Sequence, residues 1–102
     1  MSIDDVYKFI PKRFTLANHE IEVEVKEHVD GVYGDWNDAK LVIRVATHLE
    51  EDGDIELTEE QIRNSFYHEM FHAFMFFSGL KQDEMIAQTF ANLLREYETS
   101  KK

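Results

Sequence analysis

Residues 57–79 read LTEEQIRNSFYHEMFHAFMFFSG, and this stretch decides the fold. Thr58 can cap the first N–H groups of a helix, and Gln61, three residues later, can close a capping box. Leu57 and Ile62 have the spacing of a hydrophobic staple around the same helix start. No glycine or proline follows until Gly79, a residue type common just past a helix end. The stretch therefore predicts a long helix over residues 59–78.

Apolar side chains occur on nearly every side of this predicted helix, a pattern typical of a helix at the centre of a domain. Many of them are aromatic. We expect Phe66, Phe71 and Phe74, together with Phe90 from further along the chain, to form much of the core. Truncation of a fully buried Phe74 to alanine would then cost about 3–5 kcal/mol.

Residues 68–72 within this helix read HEMFH, an HExxH motif. His68 and His72 are four residues apart and share one helix face, so both imidazoles can reach one metal ion. Glu69 lies about 100° around the helix from His68, close enough to deprotonate a water that the metal activates. Zinc metallopeptidases combine two such histidines with a third ligand and a glutamate base. The alternative interpretation is two core histidines bonded to carbonyls beside a surface glutamate.

A second helix, predicted over residues 84–98, offers the third ligand. Glu84, Ala87 and Ala91 share one face of it, and the two small residues allow a close approach to the first helix. Asp83 is a rival ligand, although its position suits a helix N-cap. A straight hairpin centred near Leu80 would place Gln88 opposite His72, so Glu84 requires crossed or offset helices.

The order of these motifs resembles a known group of enzymes. An HExxH followed by the pattern E-x-x-A-x-x-F-A-x-x-L is similar to the gluzincin metallopeptidases, in particular the small ImmA/IrrE-type proteins. The resemblance extends over about residues 30–97, including Gly34 and the strand 41–45. The second motif is formed here by Glu84, Ala87, Phe90, Ala91 and Leu94.

The resemblance implies a zincin-like fold reduced to a minimal catalytic unit. It implies Zn²⁺ held by His68, His72 and Glu84, with Glu69 as the general base. The connection between His72 and Glu84 is shorter than the family pattern leads us to expect.

The residues before the long helix predict a small sheet. Apolar residues spaced as on a helix face precede Pro11, and strictly alternating residues over 20–25 indicate a half-buried strand. The remaining predicted strands cover 14–16, 32–34 and 40–46, with turns at 29–32 and 35–38 and an acidic loop at 47–55. The chain is therefore predicted to be a single α+β domain over residues 1–102. Its three to four strands, mainly antiparallel, pack on the long helix between a short N-terminal helix and a C-terminal helix carrying the third ligand.

The amino-acid composition of the chain limits the kinds of molecule that it can bind. The 102 residues include no cysteine and carry a formal net charge of −10, which disfavours binding to nucleic acid or anionic membranes. No apolar run is long enough for a membrane-spanning helix, and the N-terminus lacks the pattern of a signal peptide. We therefore expect a cytoplasmic protein, and the sequence leaves open whether it forms a homo-oligomer.

Two functions compete at this stage. The first is a zinc metallopeptidase, a hydrolase whose peptide or protein substrate adds a strand to an exposed edge of the sheet. The second is a non-catalytic or self-inhibited zincin-fold module that binds another protein and holds a structural metal. The retention of Glu69 favours the enzyme, since a structural site needs no base. The sequence does not choose between Tyr33, His48 and Tyr97 as the donor to an oxyanion.

Overall fold

The computed structural model describes residues 1–50 and 54–101, which form an α+β fold. Three helices and six strands occur in these two ranges. The helices are α1 (Ile3–Val6), α2 (Glu59–Phe77) and α3 (Glu84–Ser100), and the strands are β1 (Arg13–Leu16), β2 (His19–Lys26), β3 (Gly34–Asn37), β4 (Val42–Ala46), β5 (His48–Leu49) and β6 (Ile55–Glu56).

The main sheet has four strands in the order β1-β2-β4-β3. The two outer pairs, β1 with β2 and β3 with β4, are antiparallel, whereas the central strands β2 and β4 run parallel with Val23 opposite Ile43. The sheet is therefore mixed, and the expectation of a mainly antiparallel sheet holds only for its two outer pairs. The predicted alternation in β2 is confirmed, because Ile21, Val23 and Val25 are buried and the residues between them are exposed.

The turn at 29–32 forms as predicted. Asp30 and Gly31 both have positive φ, and the N–H of Val32 donates to the carbonyl of Val29 at 2.9 Å. It does not join two paired strands, because β4 lies between β2 and β3. The more apolar strand thus occupies the centre of the sheet and leaves β3 at the edge.

The turn predicted at 35–38 is wrong in position. Asp35, Trp36 and Asn37 belong to strand β3, and the chain reverses after them. The side-chain oxygen of Asn37 accepts hydrogen bonds from the N–H groups of Ala39 and Lys40, which fixes the later turn. Polar residues at a sheet edge and polar residues in a turn have the same composition, so the pattern could not separate them.

Helix α2 begins and ends close to the prediction. Thr58 accepts from the N–H of Gln61, and the Gln61 side chain accepts from the N–H of Thr58, which completes the capping box. One side of α2, including Ile62 and Phe66, packs on the sheet as part of the hydrophobic core. The burial of Phe66 is confirmed, since only 5% of it is exposed.

Three other aromatic residues expected in the core lie outside it. Phe71 and Phe74 are only half-buried, and 48% of the surface of Phe90 is exposed. The physical reason is that the sheet covers only one side of α2, while α3 covers a second side with small residues. The opposite flank of α2 is left without cover by the described parts of the chain.

Helices α2 and α3 form an antiparallel hairpin that carries a ladder of polar pairs. Glu60 pairs with Arg95, Asn64 with Asn92, His68 with Gln88 and His72 with Glu84. Successive rungs are about four residues apart on each helix. The hairpin is centred near Ser78 rather than Leu80, and this offset brings Glu84 opposite His72.

The predicted loop at 47–55 contains β5 and the first residue of β6, and these two short strands pair with each other. The most acidic part of that prediction, residues 51–53, lies outside the described residues. Among the described residues, no helix combines the length and the apolar character needed to cross a membrane.

Candidate metal centre

Helix α2 brings the two histidines of the HExxH motif together. The Nε2 atoms of His68 and His72 lie 3.1 Å apart. One oxygen of the Glu84 carboxylate lies 2.8 Å from Nε2 of His68, and the other lies 3.0 Å from Nε2 of His72. The predicted set of His68, His72 and Glu84 therefore converges on one point.

Asp83 is occupied elsewhere. Its carboxylate accepts a hydrogen bond from the N–H of Ile86 at 3.0 Å, so it caps α3 as the sequence suggested. Glu84 is the first residue of the helix, and its side chain points back towards α2. Ala87 and Ala91, both fully buried, allow the approach of the two helices.

Two glutamines fix the orientation of the histidine rings. Nδ1 of His68 lies 2.8 Å from Oε1 of Gln88, and Nδ1 of His72 lies 2.6 Å from Oε1 of Gln82. An amide oxygen can only accept, so each Nδ1 carries a hydrogen and donates it. The amide nitrogen of Gln82 in turn donates to the backbone carbonyl of His72, and that of Gln88 donates to Asn64 and Asn92.

Because of these hydrogen bonds, the Nε2 atom of each neutral ring can act only as a hydrogen-bond acceptor or as a metal ligand. Because Nδ1 holds the proton, Nε2 presents a lone pair. Two such lone pairs and the Glu84 carboxylate face one another at 2.8–3.1 Å. This arrangement is repulsive unless a proton or a metal ion lies among the three groups.

The donor set fits a zinc ion. Imidazole nitrogen and carboxylate oxygen are both common zinc ligands. With bond lengths of about 2.0–2.1 Å, neighbouring ligands of a tetrahedral zinc are about 3.3–3.4 Å apart, so only a slight opening of the triangle is needed. Histidine ligands in metal sites also donate their second ring N–H to a fixed acceptor, as His68 and His72 do here.

Glu69 is buried beside this triangle. One ligand atom from each of His68, Glu69 and His72 lies within 4.8 Å of the others. Burial raises the pKa of Glu69 to about 7, although the nearby His68 and His72 act to lower it. Burial also acts to raise the pKa of Glu84, but its hydrogen bond with His68 and the charge of His72 hold that pKa below its usual value.

Gly34 of strand β3 lies beside both Glu69 and the neighbouring strand β4. A Cβ added at Gly34 would lie 2.6 Å from the carbonyl oxygen of Arg44 and 3.6 Å from Cγ of Glu69. A side chain there would push the edge strand away from its neighbour. The absence of a side chain at Gly34 therefore allows β3 to pair with β4 at this position.

An open cleft of about 1040 Å³ runs between β3 and the α2–α3 hairpin. Tyr33 and Trp36 line it on the strand side, as does Asp35, which is paired with Arg44. The indole N–H of Trp36 is buried and has no hydrogen-bond partner among the described residues. Of the three candidates for an oxyanion donor, Tyr33 lines this cleft, whereas His48 lines a separate small cavity.

A second group of potential ligands lies away from this cleft. Glu27, His28 and Asp54 can each bring one ligand atom within 4.8 Å of the others, but none of them is buried. Nε2 of His28 lies 2.7 Å from the Asp54 carboxylate, and this hydrogen bond raises the pKa of His28. The geometry is that of an ion pair at the protein surface.

Gln82 and Gln88 were not predicted from the sequence to belong to the site. Gln88 appeared only as the residue opposite His72 in a straight hairpin. A signal was present for Gln88, because it follows Glu84 by four residues and therefore shares its helix face. For Gln82, which precedes α3, no periodic pattern applies.

No protein-family model matches the chain, and neither a curated protein nor a solved structure does.

Proposed function

We propose that this protein is a zinc-dependent metallopeptidase that hydrolyses peptide bonds. The observation that carries the proposal is the convergence of Nε2 of His68, Nε2 of His72 and the Glu84 carboxylate, with both Nδ1 atoms committed as donors. His68, His72 and Glu84 would supply three of the four ligands of a tetrahedral zinc, and all three residues line the open cleft. Three protein ligands with one open position characterise catalytic rather than structural zinc.

A bound zinc ion would polarise the scissile carbonyl and acidify a water molecule. Glu69 would take the proton from that water and pass it to the leaving amine. Its burial beside His68 and His72 supports this role. Burial raises the pKa of Glu69 in the metal-free protein, which favours its action as a proton acceptor. Glu69 is not needed as a ligand, because His68, His72 and Glu84 already converge.

The cleft supports an extended peptide as substrate. Strand β3 is at the edge of the sheet, and its backbone borders the cleft. An extended peptide could pair with this edge and cross the metal site. We assign the hydroxyl of Tyr33, which lines the cleft, as a donor to the polarised carbonyl or to the substrate backbone.

The competing function is a zincin-fold module that is non-catalytic or self-inhibited. A structural zinc would have a fourth protein ligand and no access for solvent. The open cleft and the buried Glu69 favour the peptidase over this alternative.

The metal site is tested by zinc binding in variants. Equilibrium dialysis should give one zinc ion per wild-type chain and a much weaker affinity for His68→Ala, His72→Ala and Glu84→Ala. Asp83→Asn is the matched control, because asparagine retains the N-cap and removes the rival carboxylate. Unchanged zinc binding in all three ligand variants, or its loss in Asp83→Asn, would contradict the proposed ligand set.

The role of Glu69 is tested by Glu69→Gln. Glutamine has the same shape but cannot accept the proton, so the variant should bind zinc normally and lose activity about 100-fold or more. The measurement is cleavage of a broad peptide library by the zinc-loaded proteins. Equal cleavage by wild type and variant would exclude Glu69 as the base, and zinc binding without any cleavage by wild type would favour the binding module.

A further inference from the structure

Helix α3 presents an uncovered apolar stripe on the side opposite the cleft. Its members follow one another at spacings of four, three and four residues, which keeps them on one helix face. Between 45% and 59% of each side chain is exposed. They are Ile86, Phe90, Leu93 and Tyr97.

The stripe continues onto the uncovered flank of α2. The ring of Phe71 stacks on that of Phe90 with centroids 5.4 Å apart, and Phe74 packs edge-on against Phe71 at 5.1 Å. We call these two residues and the four of the stripe the α2–α3 face. It contains the three aromatic residues that the sequence predicted to be buried and that the fold leaves uncovered.

The area of this face is close to what a dimer interface needs. With about 200 Å² for each large side chain, the exposed fractions on α3 and the half-buried rings of α2 amount to roughly 500 Å² of apolar surface. A standard interface buries about 800 Å² per partner, and about 65% of a homodimer interface is apolar. The α2–α3 face with a polar rim matches both figures.

We propose that the α2–α3 face binds a second copy of this chain, with the two α3 helices antiparallel about a two-fold axis. The axis would pass near the middle of the stripe, between Phe90 and Leu93. Ile86 would then lie opposite Tyr97 of the other copy, and Phe90 opposite Leu93 of the other copy. Each layer thus combines one aromatic and one aliphatic side chain, a match of volumes that parallel helices would not give.

Electrostatics are compatible with this pairing. The α2–α3 face contains no charged residue, and antiparallel helices place their dipoles in a favourable direction. The net charge of −10 repels two copies at long range. Because salt screens such repulsion but not apolar contacts, the dimer should become tighter as the salt concentration rises.

The first experiment measures mass in solution by sedimentation equilibrium over a hundredfold range of concentration. Wild type should form dimers, and Leu93→Asp and Tyr97→Asp should each weaken dimerisation about 100-fold by placing a charge in the apolar interface. The matched control is Met85→Asp, an exposed residue of α3 outside the stripe, which should still form dimers. Circular dichroism of each variant verifies that it is folded. A monomeric wild type, or a dimer that both stripe variants leave intact, overturns the proposal.

The second experiment tests the antiparallel arrangement. The chain has no cysteine, so any disulfide formed by a single-cysteine variant must come from the introduced residue. Ile86→Cys mixed with Tyr97→Cys should give a disulfide-linked heterodimer on mild oxidation. Tyr97→Cys alone should not, because in the antiparallel pair its two copies are about 16 Å apart along the axis. Efficient linkage of Tyr97→Cys to itself and none in the mixture would contradict the arrangement.

Discussion

Two glutamine side chains determine where the histidine lone pairs point. Gln82 and Gln88 accept the Nδ1 hydrogens of His72 and His68, so that the two Nε2 atoms face Glu84. Without these acceptors the rings could rotate or change tautomer. The metal affinity should therefore depend on residues that never contact the metal.

We expect Gln82→Met to weaken zinc binding about 10- to 100-fold, as loss of a second-layer partner does in other metal sites. Methionine fills a similar volume but cannot accept the Nδ1 hydrogen of His72. Gln61→Met is the control, since Gln61 closes the helix cap and is hydrogen-bonded to Thr58 rather than to a histidine. Zinc titration with a competing chelator gives both affinities. Equal affinities in the two variants would show that Gln82 does not hold the ring.

The raised pKa of Glu69 predicts how stability depends on pH in the metal-free protein. Below pH 4.5 the carboxyl is protonated in both the folded and the unfolded chain, so burial carries no ionisation cost. Between pH 4.5 and about 7 the unfolded chain ionises first, and the free energy of unfolding falls by about 1.4 kcal/mol per pH unit. Above pH 7 the loss is constant at about 3 kcal/mol.

The measurement is urea unfolding of wild type and Glu69→Gln from pH 4 to pH 8 in the presence of a chelator. The two stabilities should diverge as the pH rises, with the variant becoming the more stable protein. Parallel curves over the whole range would mean that the folded protein does not raise the pKa of Glu69.

At this scale the sequence predicted the residues whose spacing carries information. The four-residue spacing of His68 and His72 places them on one helix face. The positions of Asp83 and Glu84 relative to the start of α3 distinguish their roles: Asp83 caps the helix, and the side chain of Glu84 points towards α2. The glutamines were not predicted, because a contact across two helices depends on the register of the hairpin. That register is set by where α2 ends, at Phe77, and by the length of the connection.

Helix α2 has more apolar surface than residues 1–50 and 54–101 cover. Its periodicity predicted burial on nearly all sides, and the sheet covers the side that includes Ile62 and Phe66. A single sequence tells which residues are apolar but not whether the cover comes from the same chain. This is the reason why the burial of Phe66 was predicted correctly and that of Phe71 and Phe74 was not.

Substitution of these aromatics should separate the two sides of α2. Phe66→Ala should cost about 3–5 kcal/mol, because Phe66 is buried in the core. Phe74→Ala should cost only about 1–2 kcal/mol in the monomer, since its ring is half-buried. Chemical unfolding at low protein concentration gives both values. A cost for Phe74→Ala equal to that of Phe66→Ala would mean that the flank of α2 is covered.

The edge strand β3 is a second element that the local sequence did not predict correctly. Its sequence, Gly34–Asn37, is polar and contains turn-forming residues, so local propensity favours a turn. Pairing with β4 overrides that propensity, with Trp36 opposite Ile43. The strand that borders the candidate metal centre was therefore the one that local pattern described least well.

For the whole molecule, the class of fold followed from the sequence and the strand order did not. The alternation of β2 and the apolar run of β4 predicted two strands of a sheet on a helix. Their parallel pairing depends on which strand occupies the centre, and that choice is made by the burial of Ile43 and Val45 beside Ile21 and Val23. This competition depends on residues far apart in the chain, so the strand order cannot be predicted from the sequence of any one strand.

The attachment of α3 to α2 through mostly small and polar side chains has a consequence for the motions of the protein. The only buried residues of this helix are Ala87 and Ala91, so little apolar surface holds it to α2. Local opening of α3 should therefore require much less free energy than global unfolding. Hydrogen exchange of the metal-free monomer should be faster in α3 than in α2 and β4, and identical protection in all three elements would contradict this.

Glu84 belongs to α3, which opens, whereas His68 and His72 belong to α2, which stays folded on the sheet. A metal ion held by all three would lose one ligand each time α3 detaches, and the opening frequency of the helix would then set the rate of metal release. The lifetime of the bound ion would be a property of a helix hinge rather than of the strength of any one coordination bond.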